Sequence, residues 1–504
     1  MSLIALSTLN ARYSHASLGL RCLLANLGEL QGETALLEHT IHDRPADIVE
    51  RLLAGNPKIV GLGVYIWNAE ESAKVAALLK AVRPDVVLVL GGPEVSHELD
   101  KQAIARTADH VITGWGDRSF AKLCGQILRG PGPPQKIIPG EQPPLAEIAL
   151  PYRFYTDEDI AHRLIYVEAS RGCPFKCEFC LSSLDKTAWP FELDRFLAEM
   201  RSLYERGARI FKFVDRTFNL NVKAGARILE FFLQRLDGRL FTHFEVIPDH
   251  LPEKLKDVIA RFPAGTLQFE VGIQTFNPQV QALISRRQDN EKAEENLRWL
   301  RASSKVHVHA DLIAGLPGED LASFARGFDR LVALEPQEIQ VGILKRLRGT
   351  PIERHSADFG MKYNPLPPYD LLCNDRLDFA TVQRLGRFSR YWEITANSGR
   401  FARTMPLILV GDPFARFMRL SDWLYETTRQ THQIALERLY DLLYRWLTLE
   451  PASDAQRACE ALASDYAASG ARGAPQLMRA PQAAQERGGA SSAGQVRRRR
   501  GPSP

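Results

Sequence analysis

Apolar and polar residues along the first 130 positions follow two periods. Short runs at 3–6, 59–67, 85–90 and 110–113 are apolar nearly throughout, while 18–30, 69–82 and 117–128 place apolar residues every third or fourth position. Runs without polar alternation read as strands buried on both faces, hence a parallel sheet, and the 3.6-residue stretches read as its covering helices. This predicts a Rossmann-like, doubly wound α/β domain over residues 1–130. Ligands of such sheets bind beyond the carboxyl ends of the strands. The expected binding edge is therefore 8–15, 65–68, 91–96 and 114–117.

Residues 131–163 contain Pro131, Pro133, Pro134, Pro143, Pro144 and Pro151 with little periodicity, which predicts a linker. From 164 to 345 the strand–helix rhythm resumes. Strands are predicted at 164–169, 210–214, 242–247, 267–273, 306–313 and 338–344, with helices at 192–204, 224–234, 252–260, 290–301 and 321–334. Six such units are too few for a closed eight-stranded barrel, so the expectation is a partial (β/α)6 barrel. Residues 346–450 change character again. Pro351, Pro365, Pro367 and Pro368 mark a loop, and the helical periods at 378–391 and 414–447 predict a C-terminal helical domain. Its aromatics Trp423, Tyr425, Tyr440, Tyr444 and Trp446 read as core. Residues 467–504, rich in Ala, Gly, Gln and Arg and ending in four arginines at 497–500, predict a disordered basic tail.

The net charge of +4 changes little, because residues 451–504 alone carry it and the first 450 are formally neutral. Charge thus gives no argument for nucleic acid in the folded part. Seven cysteines without a secreted spacing, no leader-like segment at Met1 and no apolar run of membrane-spanning length lead to an expected cytoplasmic location.

Three of those cysteines fall within eight residues, as Cys173-x3-Cys177-x2-Cys180, on the loop leaving the first barrel strand. An odd number in so tight a loop is no disulfide ladder. It suits three thiolates on one metal centre. Structural zinc asks for a fourth protein ligand, and no second Cys or Cys/His pair lies nearby. A 4Fe–4S cluster with one iron left for a small ligand fits better.

With Phe179 before the third cysteine, this motif resembles that of the radical S-adenosylmethionine (SAM) superfamily. The resemblance implies that SAM binds the open iron and is cleaved to a 5′-deoxyadenosyl radical. It implies catalytic and metal-binding roles for Cys173, Cys177 and Cys180, and places Phe179 against the adenine. Asp215 would stand near SAM's amino group, Glu270 and Gln274 near its ribose and sulfonium, and Gly315, in Ile313-Ala-Gly-Leu-Pro-Gly-Glu319, near its adenine. Arg286 and Arg287 read either as a carboxylate clamp or as a solvated helix end.

The N-terminal domain similarly resembles the cobalamin-binding domains that precede many such cores. The matching pieces surround Tyr65, Leu90–Ser96 and Gly114, so Tyr65, Gly91, Gly92, Ser96 and Gly114 are its expected cobalamin contacts. Trp115 and Asp117 depart from the usual Gly-Glu-Gly-Glu loop, and no Asp-x-His-x-x-Gly places a histidine on cobalt. Together the two resemblances imply a cobalamin-dependent radical SAM C-methyltransferase with a C-terminal domain of unknown function. They imply a 4Fe–4S cluster, SAM and cobalamin as cofactors, a small-molecule or peptide substrate and a reductant such as flavodoxin or ferredoxin. The alternatives are a radical SAM oxidoreductase or rearranging enzyme, and a cobalamin or iron–sulfur sensor without turnover. Methylthiolation is disfavoured, since only Cys22 and Cys124 precede Cys173 and neither builds a second cluster.

Overall fold

The computed structural model describes residues 2–130, 132–185, 187–449, 454–471 and 475. The expected basic tail therefore lies almost wholly outside the described residues. The chain forms two compact units, 1–383 and 384–504.

The first unit begins with a sheet of β1 (Ile4–Asn10), β2 (Thr34–Thr40), β3 (Ile59–Gly63), β4 (Val87–Gly91), β5 (His110–Thr113) and β6 (Ile137–Pro139). Their spatial order is β2-β1-β3-β4-β5-β6, and every neighbouring pair is parallel. Helices cover both faces, as the apolar runs require. Ile48, Leu52, Val75 and Leu79 from helices Pro45–Leu53 and Ala69–Val82 pack with Val60 and Leu88 on one face. Leu20, Phe120 and Leu123 from Leu18–Ala25 and Asp117–Arg129 pack with Ile59 and Val89 on the other.

Two strands escaped the apolar pattern. β2 lies at the sheet edge, and only His39 of its seven residues is buried, so its sequence need not be apolar. β6 lies at the opposite edge, within the stretch read as a linker. That stretch also holds the helix Asp157–His162, closed by a capping box between Thr156 and Asp159. β3 stops at Gly63 rather than 67 because the Asn68 carboxamide accepts from the Tyr65 N–H and turns the chain.

The barrel portion contains β7 (Ile165–Val167), β8 (Ser170–Gly172), β9 (Ala188–Pro190), β10 (Ile210–Phe213), β11 (Phe241–Val246), β12 (Leu267–Gln274), β13 (His307–Ala314) and β14 (Glu338–Ile343). Six of them form one parallel sheet in the order β14-β13-β12-β11-β10-β7. It is the open six-unit arc that the rhythm predicts. Along β12 and β13 burial alternates residue by residue. Phe269, Val271, Val308 and Ala310 are buried, and Glu270, His309 and Asp311 stand on the opposite face. Closed eight-stranded barrels fill that inner face with branched apolar layers; here it is polar. β8 and β9, three residues each, form an antiparallel ribbon beside the sheet that the sequence pattern did not reveal.

The second unit is helical. Pro413–Thr428, Leu436–Leu449 and Ala455–Ala468 follow most of Phe379–Ile394, so the period over 414–447 breaks into two helices. Its core is aromatic: Phe388 and Trp392 each meet Phe417 at 4.9 Å, and Tyr440 meets Phe401 at 4.4 Å. Tyr440 and Trp446 are buried as expected, while Trp423, Tyr425 and Tyr444 are only partly covered. Residues 346–383, read from sequence with this helical part, belong to the first unit.

Candidate cofactor sites

β7 delivers the chain to the ribbon, and the ribbon delivers it to Cys173. The end of β10 anchors this passage: the Asp215 carboxylate accepts from the Ala169 N–H at 2.9 Å and the Ser170 hydroxyl at 2.6 Å. Asp215 is thereby buried and turned toward the loop backbone. It is not among the residues lining the cavity beside the cysteines, and both its carboxylate oxygens tether the loop that leads to them. Burial lifts its carboxyl to about 7 against those bonds.

Cys173, Cys177 and Cys180 line a cavity of about 230 Å³ at the carboxyl ends of the barrel strands. Cys173 and Cys177 are buried and Cys180 is half-buried. Burial pushes the Cys173 thiol up to about 11 and raises Cys177 as well, so metal loading must release those protons. The loop between them is pinned from inside. Glu178 is 2 % exposed and accepts from the Ser285 hydroxyl at 2.6 Å and His355 Nε2 at 2.9 Å, with Arg354 alongside.

Opposite the thiols stand Phe179, Glu270 and Gln274, which the sequence singled out, together with Arg216, Glu245 and Asp311. Glu270 meets His243 Nε2 at 3.1 Å. Burial works against its ionisation, but the hydrogen bond and charge of His243, with His309 and Lys212, hold its carboxyl down at about 2. Gln274 sits at a left-handed φ of 68°, where the pairing of β12 with β13 slips. Such backbone strain collects at functional sites.

Arg216 joins the cavity without having been singled out in the sequence, and grips Glu245 through two contacts of 2.6 and 2.8 Å. Arg286, open between a carboxylate clamp and a solvated helix end, lines the cavity, reaches Cys177 Sγ at 3.6 Å and also binds Gly272 O. Arg287 lines the cavity from an exposed position. Gly315 is not in the cavity: at φ 91° it packs under Leu371, whose Cδ2 lies 2.4 Å from where a Cβ would stand. The turn after it instead buries Glu319, which accepts from Thr275 at 2.6 Å and is pushed up to about 7 by burial.

A second cavity, of about 300 Å³, opens at the carboxyl edge of the N-terminal sheet. Tyr65, Gly91, Gly92 and Gly114 line it, with Leu6, Leu20 and Val89 as apolar wall. A Cβ at Gly114 would meet nothing within 4 Å, and one at Gly91 only Ile112 O at 3.8 Å. Those two positions hold space open. Gly92 serves the turn itself, since at φ 109° a Cβ would lie 2.5 Å from Val64 O. Ser96 lies behind the cavity, where its hydroxyl donates to Gly92 O and accepts from the Gly114 N–H. Trp67 stacks on Tyr65 at 4.5 Å and is half exposed, outside the cavity.

Both sites fit the groups expected of them. Three thiols around one cavity, two buried and one half-buried, are the donor set of a cluster. They do not converge on a point: among the described residues no three His, Cys, Asp or Glu side chains are arranged for a single metal ion. The glycine-cradled apolar cavity admits part of a large planar group.

Residues 167–331 match the radical SAM superfamily, residues 5–124 the B12 binding domain, and residues 357–495 a protein family of unknown function, DUF4080. The chain thus carries a radical SAM domain, a B12 binding domain and a C-terminal domain of unknown function. The first two imply a 4Fe–4S cluster, SAM and cobalamin. The chain is 26 % identical over 302 residues to an uncharacterized methyltransferase of Pyrococcus horikoshii, covering 54 % of this chain and 64 % of that one. It is 25 % identical over 361 residues to the 2-(S-pantetheinyl)-carbapenam-3-carboxylate methyltransferase of Streptantibioticus cattleyicolor, covering 63 % and 52 %. The matches thus span between half and two thirds of these relatives' own lengths. The cobalamin-dependent SAM radical enzyme OxsB, solved with aqua-cobalamin and SAM bound, shares the fold with a TM-score of 0.60 at 14 % identity, covering 97 % of this chain and 81 % of that one. Among the described residues no helix is long and apolar enough to cross a membrane.

Proposed function

We propose that this protein is a cobalamin-dependent radical SAM methyltransferase that modifies an unactivated carbon of a small-molecule or peptide substrate. The observation that supports it most is the placement of the two cavities. The segment 168–173 has Glu168 and Arg171 on the wall of the glycine-lined cavity and Cys173 on the wall of the other. When bound, the cluster and SAM supply the radical that removes hydrogen, and the corrin supplies a methyl carrier. The difficult chemistry is the cofactors', and the protein contributes placement and exclusion of water.

The residues divide that work. Cys173, Cys177 and Cys180 would hold the cluster, and Glu178 and Asp215 fix their loop. Phe179, Glu270 and Gln274 would receive SAM, with Glu270 kept ionised by His243. Tyr65, Gly91, Gly92 and Gly114 would receive cobalamin. An electron donor of the flavodoxin or ferredoxin kind completes the cycle. Two relatives whose names describe methyltransferases favour methylation over oxidation or rearrangement. Anaerobic reconstitution with SAM bearing a carbon-13 methyl group tests the reading. The labelled methyl should appear on the protein's cobalamin, and a corrin that never acquires it would overturn the methyltransferase assignment.

A further inference from the structure

The loop from Thr113 to Asp117 was singled out above for what it lacks, and the two departing residues turn out to grip the chain that carries the cluster thiols. Asp117 binds the Arg171 guanidinium through two contacts, Nη1 to Oδ2 at 2.8 Å and Nη2 to Oδ1 at 3.2 Å. Glu168 takes the remaining side, with Nε at 2.9 and 3.1 Å and Nη2 at 2.7 Å. Side-chain exposure is 15 % for Arg171, 6 % for Asp117 and 9 % for Glu168. Planar, two-sided pairing of this kind fixes orientation as well as distance. Trp115 holds the same ribbon from its other edge. Its ring meets Trp189 edge-on at 5.5 Å, and the Arg171 guanidinium lies 5.1 Å from its centroid. Trp189 is the cross-strand partner of Arg171.

From Arg171 to Cys173 there is one residue, and the ribbon packs against it too closely to admit a side chain. Gly172 has φ 86°, and a Cβ there would stand 2.3 Å from Thr187 O and 3.0 Å from Asp185 Cβ. Trp115, Asp117, Glu168 and Arg171 all line the cavity assigned to cobalamin. A group entering that cavity touches the grip on the ribbon, and the ribbon ends at the first cluster ligand.

We propose that Arg171, clamped by Asp117 and Glu168, is a positioning residue that makes the order of the cluster-bearing ribbon depend on occupancy of the N-terminal cavity. The proposal rests on the assignment of cobalamin to that cavity. Trp115 and Asp117 are, on this view, not decayed cobalamin contacts but the parts that join the two sites. Loss of one member of a buried charged group leaves its partners uncompensated, so the coupling should be sharply sensitive to single substitutions.

The test is hydrogen exchange, read by mass spectrometry, on the anaerobic, cluster-loaded full chain with and without hydroxocobalamin. In the wild type, hydroxocobalamin should slow exchange severalfold both at 110–120 and across the ribbon at 168–173 and 187–191. In Arg171→Gln, at hydroxocobalamin concentrations that saturate the variant, the first region should still be protected and the ribbon should no longer respond. Arg171→Lys should behave like Gln, because a point charge cannot replace the fork. If Arg171→Gln fails to fold, Asp117→Asn, which preserves shape, should show the same separation. Ribbon protection that survives in these variants overturns the coupling. So does a wild type that takes up hydroxocobalamin without any ribbon response. A wild type that takes up no corrin defeats the cobalamin assignment itself, and the coupling with it.

Discussion

His15 Nδ1 lies 2.6 Å from the Tyr166 hydroxyl, across the junction between β1 and β7. His15 is the one histidine in the first binding loop, 8–15, and so the residue from which that loop could offer cobalt an imidazole in a domain without Asp-x-His-x-x-Gly. Its ring is committed to the neighbouring strand, and its carbonyl accepts from Asn10 and Arg163. It does not line the cavity. Electron paramagnetic resonance of the cobalt(II) form, with nitrogen-15 histidine against natural abundance, should therefore show no label-dependent splitting. A splitting that disappears in His15→Ala would place this ring on the metal.

The inner face of the barrel predicts two opposite pH dependences. Glu270 has its carboxyl held at about 2 in the folded chain, below the ordinary carboxylate range of about 4. Its ionised form stabilises the fold above that ordinary range, and the contribution disappears as pH falls toward 2. Glu270→Gln should lower the melting temperature at pH 7 by several degrees and by much less near pH 3.

His309 runs the other way. Burial disfavours its charged form, but Asp311 at 3.3 Å, Glu338 at 3.3 Å and Glu270 overcome that and raise it to about 8. Its contribution is complete below the ordinary histidine value and fades as pH rises through 8. His309→Gln should cost stability at pH 6 and almost nothing at pH 9. Equal losses at both would show that the ring matters for packing and not for charge.

In the second unit, Asp465 is buried and accepts from the Arg403 and Thr404 N–H groups and the Thr404 hydroxyl. Removing the acceptor strands those donors, at about 1–3 kcal/mol. Asp465→Ala should lower the denaturant midpoint accordingly.

What the sequence made legible follows from where period and chemistry coincide. β1, β3, β4 and the six barrel strands announce themselves because both faces, or one whole face, are apolar. β2 does not, because an edge strand is free to carry polar residues such as Glu38 and His39, and β6 does not, because it is three residues long inside a proline-rich stretch. The three thiols are visible from spacing alone, and Glu270 from a polar position inside an apolar run. Arg216 was hidden, since an arginine after a strand end looks the same whether it faces solvent or a cavity, and Arg286 stayed open between a carboxylate clamp and a solvated helix end on the same ground. Asp215 and Gly315 were legible by position and not by orientation. Their motif places them at strand ends, and only packing decides which way they face. Trp115 and Asp117 read only as departures from the usual loop because their partners, Trp189 and Arg171, lie more than fifty positions away.

The central claim is that Cys173, Cys177 and Cys180 hold a cluster that cleaves SAM in a chain that also carries cobalamin. It is tested most directly by following 5′-deoxyadenosine formation from SAM after anaerobic reconstitution, in the wild type and in the Cys173→Ala/Cys177→Ala/Cys180→Ala variant. The wild type should load iron and sulfide, absorb near ~400 nm as clusters held by thiolates do, and release 5′-deoxyadenosine under reduction. The triple variant should lose both the absorbance and the product. Anaerobically purified wild type that holds stoichiometric zinc and no iron, or that leaves SAM intact when its cluster is loaded and reduced, would contradict the account.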